Sequence, residues 1–124
     1  MMQTYKDLKV WQCNQECILK CAKLLDKLPK TIPARIISEQ LFDSLASVGA
    51  NLAEGYGSYE GKEYPRYSKI ALRSAVESDH WLETLMLLFD SLQLDTQEIK
   101  ELNLQSIKML KGLIKSIEIK RADK

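Results

Sequence analysis

Tyr67, Ala71, Ser74, Ser78, Trp81, Leu85, Leu88 and Leu92 follow one another at spacings of 4,3,4,3,4,3,4. Apolar or small residues repeating at that average interval stay on one side of an α-helix and favour left-handed supercoiling against its neighbours. A strand, whose side chains alternate between two faces, gives no such pattern. The stretch predicts a long helix, roughly Lys62 to Ser91, with a seam whose first half is small and whose second half is large.

Three more segments carry helical periodicity, and strand signals are nearly absent. The first helix is expected to start near Asp7, a good N-cap, and to reach about Leu28 before Pro29. It carries two adjacent stripes, one through Leu8, Trp11, Gln15, Ile18, Ala22 and Leu25, the other through Val10, Cys13, Cys17, Cys21, Leu24 and Leu28. The link PKTIP follows, and Pro33 suits the first turn of a second helix that runs to about Tyr56 with Ile37, Leu41, Leu45, Val48 and Leu52 inward. A fourth helix starts at Asp95, with Glu98 completing a pair like a capping box, and the last residues, KRADK, are expected to fray.

A chain of 124 residues is the size of one domain. The pattern predicts a single all-α domain over 1–124, an antiparallel up-down-up-down four-helix bundle. Ala46, Ser47, Gly49 and Ala50 on the second helix match the small half of the third. Their axes are therefore expected near the short end of the usual range of about 8–10 Å.

The composition, 45% hydrophobic and 28% charged with five Gly and three Pro, excludes disordered and fibrous classes. No apolar run is long enough to span a bilayer, and MMQTYKDLKVWQ lacks the sections of a signal peptide, so a soluble, cytoplasmic protein is expected. Cys13, Cys17 and Cys21 lie four apart on one helix face and read as small buried hydrophobes rather than metal ligands. Net charge is +1, which gives no global bias toward nucleic acid or acidic membranes. Residues 76–101 nevertheless hold seven acids against Lys100, while Lys108, Lys111, Lys115, Lys120, Arg121 and Lys124 face only Glu118 and Asp123 in residues 102–124. Solvated helix faces and contacts between unlike subunit surfaces both fit this segregation.

Catalytic chemistry has few candidates. His80 is the single histidine, and its neighbours Ser78 and Asp79 point in other directions around a helix. Glu77 and His80 form one Glu-x-x-His spacing, where di-iron bundles need two. No catalytic residue, metal or cofactor is assigned. Gly55, Gly57 and Gly61 fall at the end of a helix rather than between a strand and a helix, the wrong context for a phosphate loop, so Gly55 or Gly57 reads as a left-handed helix stop. Glu54 in that last turn opposes the helix dipole and calls for a cation, with Arg66 the first choice and Lys62 the second.

The segments DLKVWQ, EQLFDSLASVGANLAEG and YSKIALRSAVESDHWLE resemble, in that order, the bacterial 23S ribosomal RNA intervening-sequence proteins. The elements carrying the resemblance are N-[IL]-A-E-G at Asn51 to Gly55, with Glu54, and R-S-x-x-E at Arg73, Ser74 and Glu77. The resemblance implies a small antiparallel four-helix bundle, often a ring-like homopentamer, whose biochemical role is largely unassigned. In a related branch, the accessory variability determinants of diversity-generating retroelements, pentameric barrels bind a reverse transcriptase and nucleic acid.

Two surfaces stand out. Tyr56, Tyr59, Tyr64 and Tyr67 fall with Lys62 and Arg66 in YGSYEGKEYPRY, where three readings compete: a cap over the core, a protein interface, and a base-stacking surface. Lys108, Lys111 and Lys115 form one stripe, either a solvated face or a phosphate contact. The leading expectation is a non-enzymatic homo-oligomeric adaptor or scaffold whose partners are itself, as a pentamer, and a further protein, with no membrane. Its rivals are an accessory RNA- or DNA-binding factor and a metal- or thiol-dependent enzyme using the cysteine face.

Overall fold

The Thr4 hydroxyl accepts the Lys6 N–H, and the Asp7 carboxylate accepts the N–H groups of Gln3 and Thr4. This reciprocal capping closes a 3-10 turn over Tyr5–Asp7 in the computed structural model, which describes residues 2–123. Asp7 therefore caps this short turn, not the first long helix as its sequence position suggests. Four long helices follow: α1 (Lys9–Leu25), α2 (Ile32–Tyr56), α3 (Tyr64–Leu88) and α4 (Gln93–Ala122). No strand occurs among the described residues, and no described helix is long and apolar enough to cross a membrane.

The links follow turn chemistry. α1 stops at Leu25, and Leu28 lies in the turn, where its N–H donates to the Leu25 carbonyl. The Thr31 hydroxyl accepts the Ala34 N–H and Pro33 sits in the first turn of α2, so both N-terminal devices act there. α4 starts at Gln93, two residues before Asp95, and Leu92 at its N-cap makes no side-chain capping bond. Glu98 pairs with Lys20 across to α1 instead of closing a capping box. At the other end α4 stays helical to Ala122, whereas the sequence suggested fraying; Lys124 lies outside the described residues.

Contacts fix the directions. Between α2 and α3, Ser44 meets Ser78, Ser47 meets Ser74, and Gly55 abuts Tyr67, a falling against a rising number. Between α3 and α4, Asp79 meets Lys100, Asn103 donates to the Ala75 carbonyl, and Lys69 reaches Glu118. Lys27 with Asp95, Lys20 with Glu98 and Ser106 with Cys13 set α1 against α4 in the same antiparallel sense. Each helix thus packs on its two neighbours around a four-sided core.

The core has two layers. Cys17, Cys21, Leu24, Leu41, Leu45, Leu82, Leu85 and Ile99 fill one, and Leu8, Val10, Val48, Leu52, Ala71, Ala75 and Leu110 the other. The buried column of α3 is Ser68, Ala71, Ala75, Ser78, Leu82 and Leu85. It shares Ala71, Ser78 and Leu85 with the seam read from sequence, but Tyr67, Ser74 and Trp81 sit one residue around the helix and are half-buried, Tyr67 beside Gly55 and Ser74 beside Ser47 of α2. Leu92 falls in a 3-10 turn, Asp90–Leu92, beyond the end of α3.

Two asparagines bind the layers laterally. Asn14 on α1 donates to the Leu45 carbonyl of α2 at 3.0 Å, and Asn103 on α4 donates to the Ala75 carbonyl of α3 at 2.8 Å; both are fully buried. A buried amide facing one carbonyl fixes register, because sliding by a turn would leave it unpaired. Gly49 turns toward α1: a Cβ there would lie 2.6 Å from Asn14 Oδ1. Of the four small residues expected to serve the α2–α3 contact, Ser47 does so through Ser74, whereas Gly49 makes room for the Asn14 amide and Ala46 and Ala50 are exposed.

Candidate functional site

The residues singled out by sequence gather at the end of the bundle where α2 turns into α3. Gly57 caps the end of α2 with a right-handed φ of −82°, and its N–H donates to the Ala53 carbonyl. The left-handed positions are Glu60 (φ 53°) and Gly61 (φ 66°) in a 3-10 turn, Tyr59–Gly61. Neither Gly55 nor Gly57 is a left-handed stop. Gly55 is helical, and its role is proximity: a Cβ there would lie 2.7 Å from Tyr67 Cβ and 3.3 Å from Tyr64 Cα. Ser58 ties the ends together, donating to the Gly55 carbonyl at 2.7 Å and accepting the Glu63 N–H at 3.0 Å.

This close approach divides the tyrosines. Tyr56 and Tyr64 pack edge to face, with centroids 5.5 Å apart and planes at 84°, and Tyr56 lies on the second core layer. The Tyr64 hydroxyl is buried, and burial followed by the neighbouring Tyr56 pushes its pKa up to about 12. These two rings cap the core. Tyr59 is 76% exposed with Lys62 Nζ 5.6 Å from its ring centroid, and the Arg66 guanidinium stands 4.6 Å over the half-buried Tyr67 ring. The outward part of the cluster is therefore Tyr59, Lys62, Arg66 and the edge of Tyr67.

Glu54 has no ion pair or hydrogen bond among the described residues and is exposed, which corrects the expected pairing with Arg66 or Lys62. Arg66 Nε bonds Glu63 Oε2 at 2.6 Å, three residues back on the same turn, and that contact holds its charge. The other motif residues are used internally. Asn51 donates to the Ser47 carbonyl and hydroxyl, the Ser74 hydroxyl donates to Ser47 Oγ, and Glu77 Oε2 accepts the Trp81 indole N–H at 2.9 Å. Arg73 is exposed with no ion pair among the described residues. Of the motif residues, Ser74 and Gly55 join α2 to α3, Asn51 and Glu77 bond within their own helices, and two charges, Glu54 and Arg73, face outward.

The acidic segment is largely consumed inside the chain. Asp95 and Glu98 hold Lys27 and Lys20 of α1, and Asp79 with Glu83 forks around Lys100, whose side chain is 14% exposed. Burial alone would lower the Lys100 pKa, but its bonds to the two carboxylates carry it above the ordinary lysine value. Lys108, Lys111 and Lys115 are exposed on α4 without an ion pair among the described residues. Arg121 reaches the Gly61 carbonyl at 2.8 Å, fastening the end of α4 to the α2–α3 turn.

The cysteines form the inner stripe of α1. Burial, and for Cys17 also the charges of Cys13 and Glu16, pushes Cys17 and Cys21 from 9.0 up to about 12. The thiol form is the one the fold favours, so this contribution to stability is intact below pH 9.0 and is lost as pH rises toward about 12. At pH 8 Cys17 and Cys21 should react with an aromatic disulfide reagent more than about a hundredfold slower in the folded than in the unfolded protein. Labelling of all three thiols at the unfolded rate would contradict the packing. His80 is exposed, its ring 4.6 Å from that of Trp81, and no group of three metal-ligating side chains gathers among the described residues.

These features define an all-α protein of four long helices with a braced turn and outward charges at one end. The family model for the 23S rRNA-intervening sequence protein matches residues 6–115, and the chain belongs to that family. A solved structure of a protein of unknown function from the S23 ribosomal protein family of Bacteroides thetaiotaomicron has the same fold. The TM-score is 0.74 at 23% sequence identity, over 86% of this chain and 98% of that one. No curated protein matches the chain.

Proposed function

We propose that this chain is a non-enzymatic, cytoplasmic, homo-oligomeric four-helix-bundle adaptor or scaffold, in a ring for which five copies are favoured. The observation that carries the reading is the outer surface. Leu19, Ile32, Leu87 and Leu94 are each two-thirds exposed or more, and Ile32, Ile36, Leu87, Leu88 and Leu94 gather at the end holding the α1–α2 and α3–α4 links. Large apolar surface left in water favours burial against another protein. At the opposite end Tyr59, Lys62, Arg66 and Tyr67 offer stacked ring–cation pairs to a protein partner.

A second reading, an accessory RNA- or DNA-binding factor, is favoured by the exposed stripe Lys108, Lys111 and Lys115, which has no ion pair among the described residues. One experiment separates them: capture from native lysate at several salt concentrations, identifying protein and nucleic acid, with wild type and a folded variant carrying Tyr59→Ala, Lys62→Ala and Arg66→Ala. The adaptor reading expects a protein partner that the variant loses. Nucleic-acid capture falling steeply with salt would replace it with the second reading.

A further inference from the structure

Glu54 has no partner among the described residues of its own chain, and its position identifies where one would lie. Ala46, Ala50 and Glu54 are four apart on α2 and all exposed, a low ridge of small side chains ending in a carboxylate. On the far side of the bundle, Leu104, Lys108, Lys111 and Lys115 step by 4,3,4 along α4 and are all exposed. The bond from Asn103 to the Ala75 carbonyl places Leu104 beside Val76 of α3, and these two apolar side chains are 45% and 52% exposed. Arg73, one turn before Val76, adds a further cation that has no ion pair among the described residues. One surface is small and acidic; the other is apolar and basic.

The two surfaces also match in height. α2 and α4 run the same way, each antiparallel to α3. The Ser47–Ser74 bond sets Ala46 level with the Val76–Leu104 pair. Parallel helices rise equally per residue, so Glu54, eight residues beyond Ala46, lies level with the part of α4 eight residues beyond Leu104, between Lys111 and Lys115.

Resting on the homo-oligomeric reading above, we infer that the α2 ridge of one copy docks in the α3–α4 groove of the next. Ala46 and Ala50 then lie on Val76 and Leu104, and Glu54 pairs with Lys111 and Lys115. Small residues let the helix approach closely, and the carboxylate that opposes its own helix dipole gains cations from the neighbouring copy. The contact uses two different surfaces, so every copy has one of each, and repeated rotation without a rise closes a ring. The level match supplies the absence of rise.

Charge exchange tests this. Glu54→Lys, and separately Lys111→Glu with Lys115→Glu, should each raise the concentration for half-assembly by at least about tenfold in light scattering. The variant carrying all three changes should reassemble, because the pairing is restored with its signs exchanged. All the altered side chains are exposed and form no ion pair among the described residues, so far-ultraviolet dichroism and the melting profile should show each variant helical and cooperative. Assembly unaffected by either reversal, or not recovered in the combined variant, overturns this docking while leaving an oligomer by another surface. A wild-type protein that never assembles overturns the docking and the oligomeric reading together.

Discussion

Gly55→Ala lowers the stability of the fold by about 2–3 kcal/mol, although alanine in a helix interior ordinarily gains about 1 kcal/mol over glycine. The added Cβ would stand 2.7 Å from Tyr67 Cβ and 3.3 Å from Tyr64 Cα. Neither atom is the free end of a flexible side chain, so the start of α3 must move away from α2. That movement strains the Ser58 bonds to Gly55 and Glu63 and the edge-to-face packing of Tyr56 on Tyr64. Gly112, exposed on α4 with nothing within 4 Å of an added Cβ, is the control, and Gly112→Ala should stabilise by up to about 1 kcal/mol. Urea unfolding with unchanged slope measures both. A stabilising Gly55→Ala would remove the close approach from the account.

Leu82→Ala should cost more, about 3–4 kcal/mol. Leu82 is fully buried in the layer with Cys21, Leu41, Leu45 and Ile99, and removing its branch leaves a hole between helices already braced by Ser44–Ser78 and Asn103–Ala75. Partial collapse is resisted there, which places the cost in the upper part of the usual range. Leu87, five residues on and 81% exposed, should lose less than about 0.5 kcal/mol of fold stability as alanine. Equal losses at Leu82 and Leu87 in guanidinium unfolding would mean that the seam assignment on α3 is wrong.

That assignment shows what periodicity carries and what it leaves open. The spacing through Ala71, Ser78 and Leu85 was enough to predict a helix and one of its buried columns. The second column was ambiguous, because Tyr67, Ser74 and Trp81 differ from Ser68, Ala75 and Leu82 by one residue, and both sets are apolar or small. Neighbouring helices decide between them. Of the stripe Val10, Cys13, Cys17, Cys21, Leu24 and Leu28, the first five are buried on α1, while Leu28 is half-buried in the turn beyond it. Asn14 and Asn103 were missed, since a polar residue in a buried column looks like an error in the pattern. The signal was present in Ile99, Asn103, Ser106 and Leu110, which step by 4,3,4 with their polar members counted.

The turn shows the same limit. A hairpin of α2 and α3 was expected to bring Glu54 near the residues around Arg66, and the height is right, because Gly55 meets Tyr64 and Tyr67. Side-chain direction was not legible: Arg66 satisfies itself on Glu63 three residues away, the shorter and entropically cheaper pairing. The sequence suggests a left-handed stop at Gly55 or Gly57 because glycine answers two demands, positive φ and close approach, with the same letter. Here the positive φ belongs to Glu60 and Gly61. The tyrosine cluster divided likewise, since sequence spacing alone does not separate Tyr64, which caps the core, from Tyr59, which faces water.

The proposed function requires the chain to assemble with copies of itself. Light scattering on the purified protein across a dilution series tests this most directly. The expected result is a stable mass of several chains, with five times the 14.2 kDa chain mass favoured. A mass of 14.2 kDa at every concentration would contradict it.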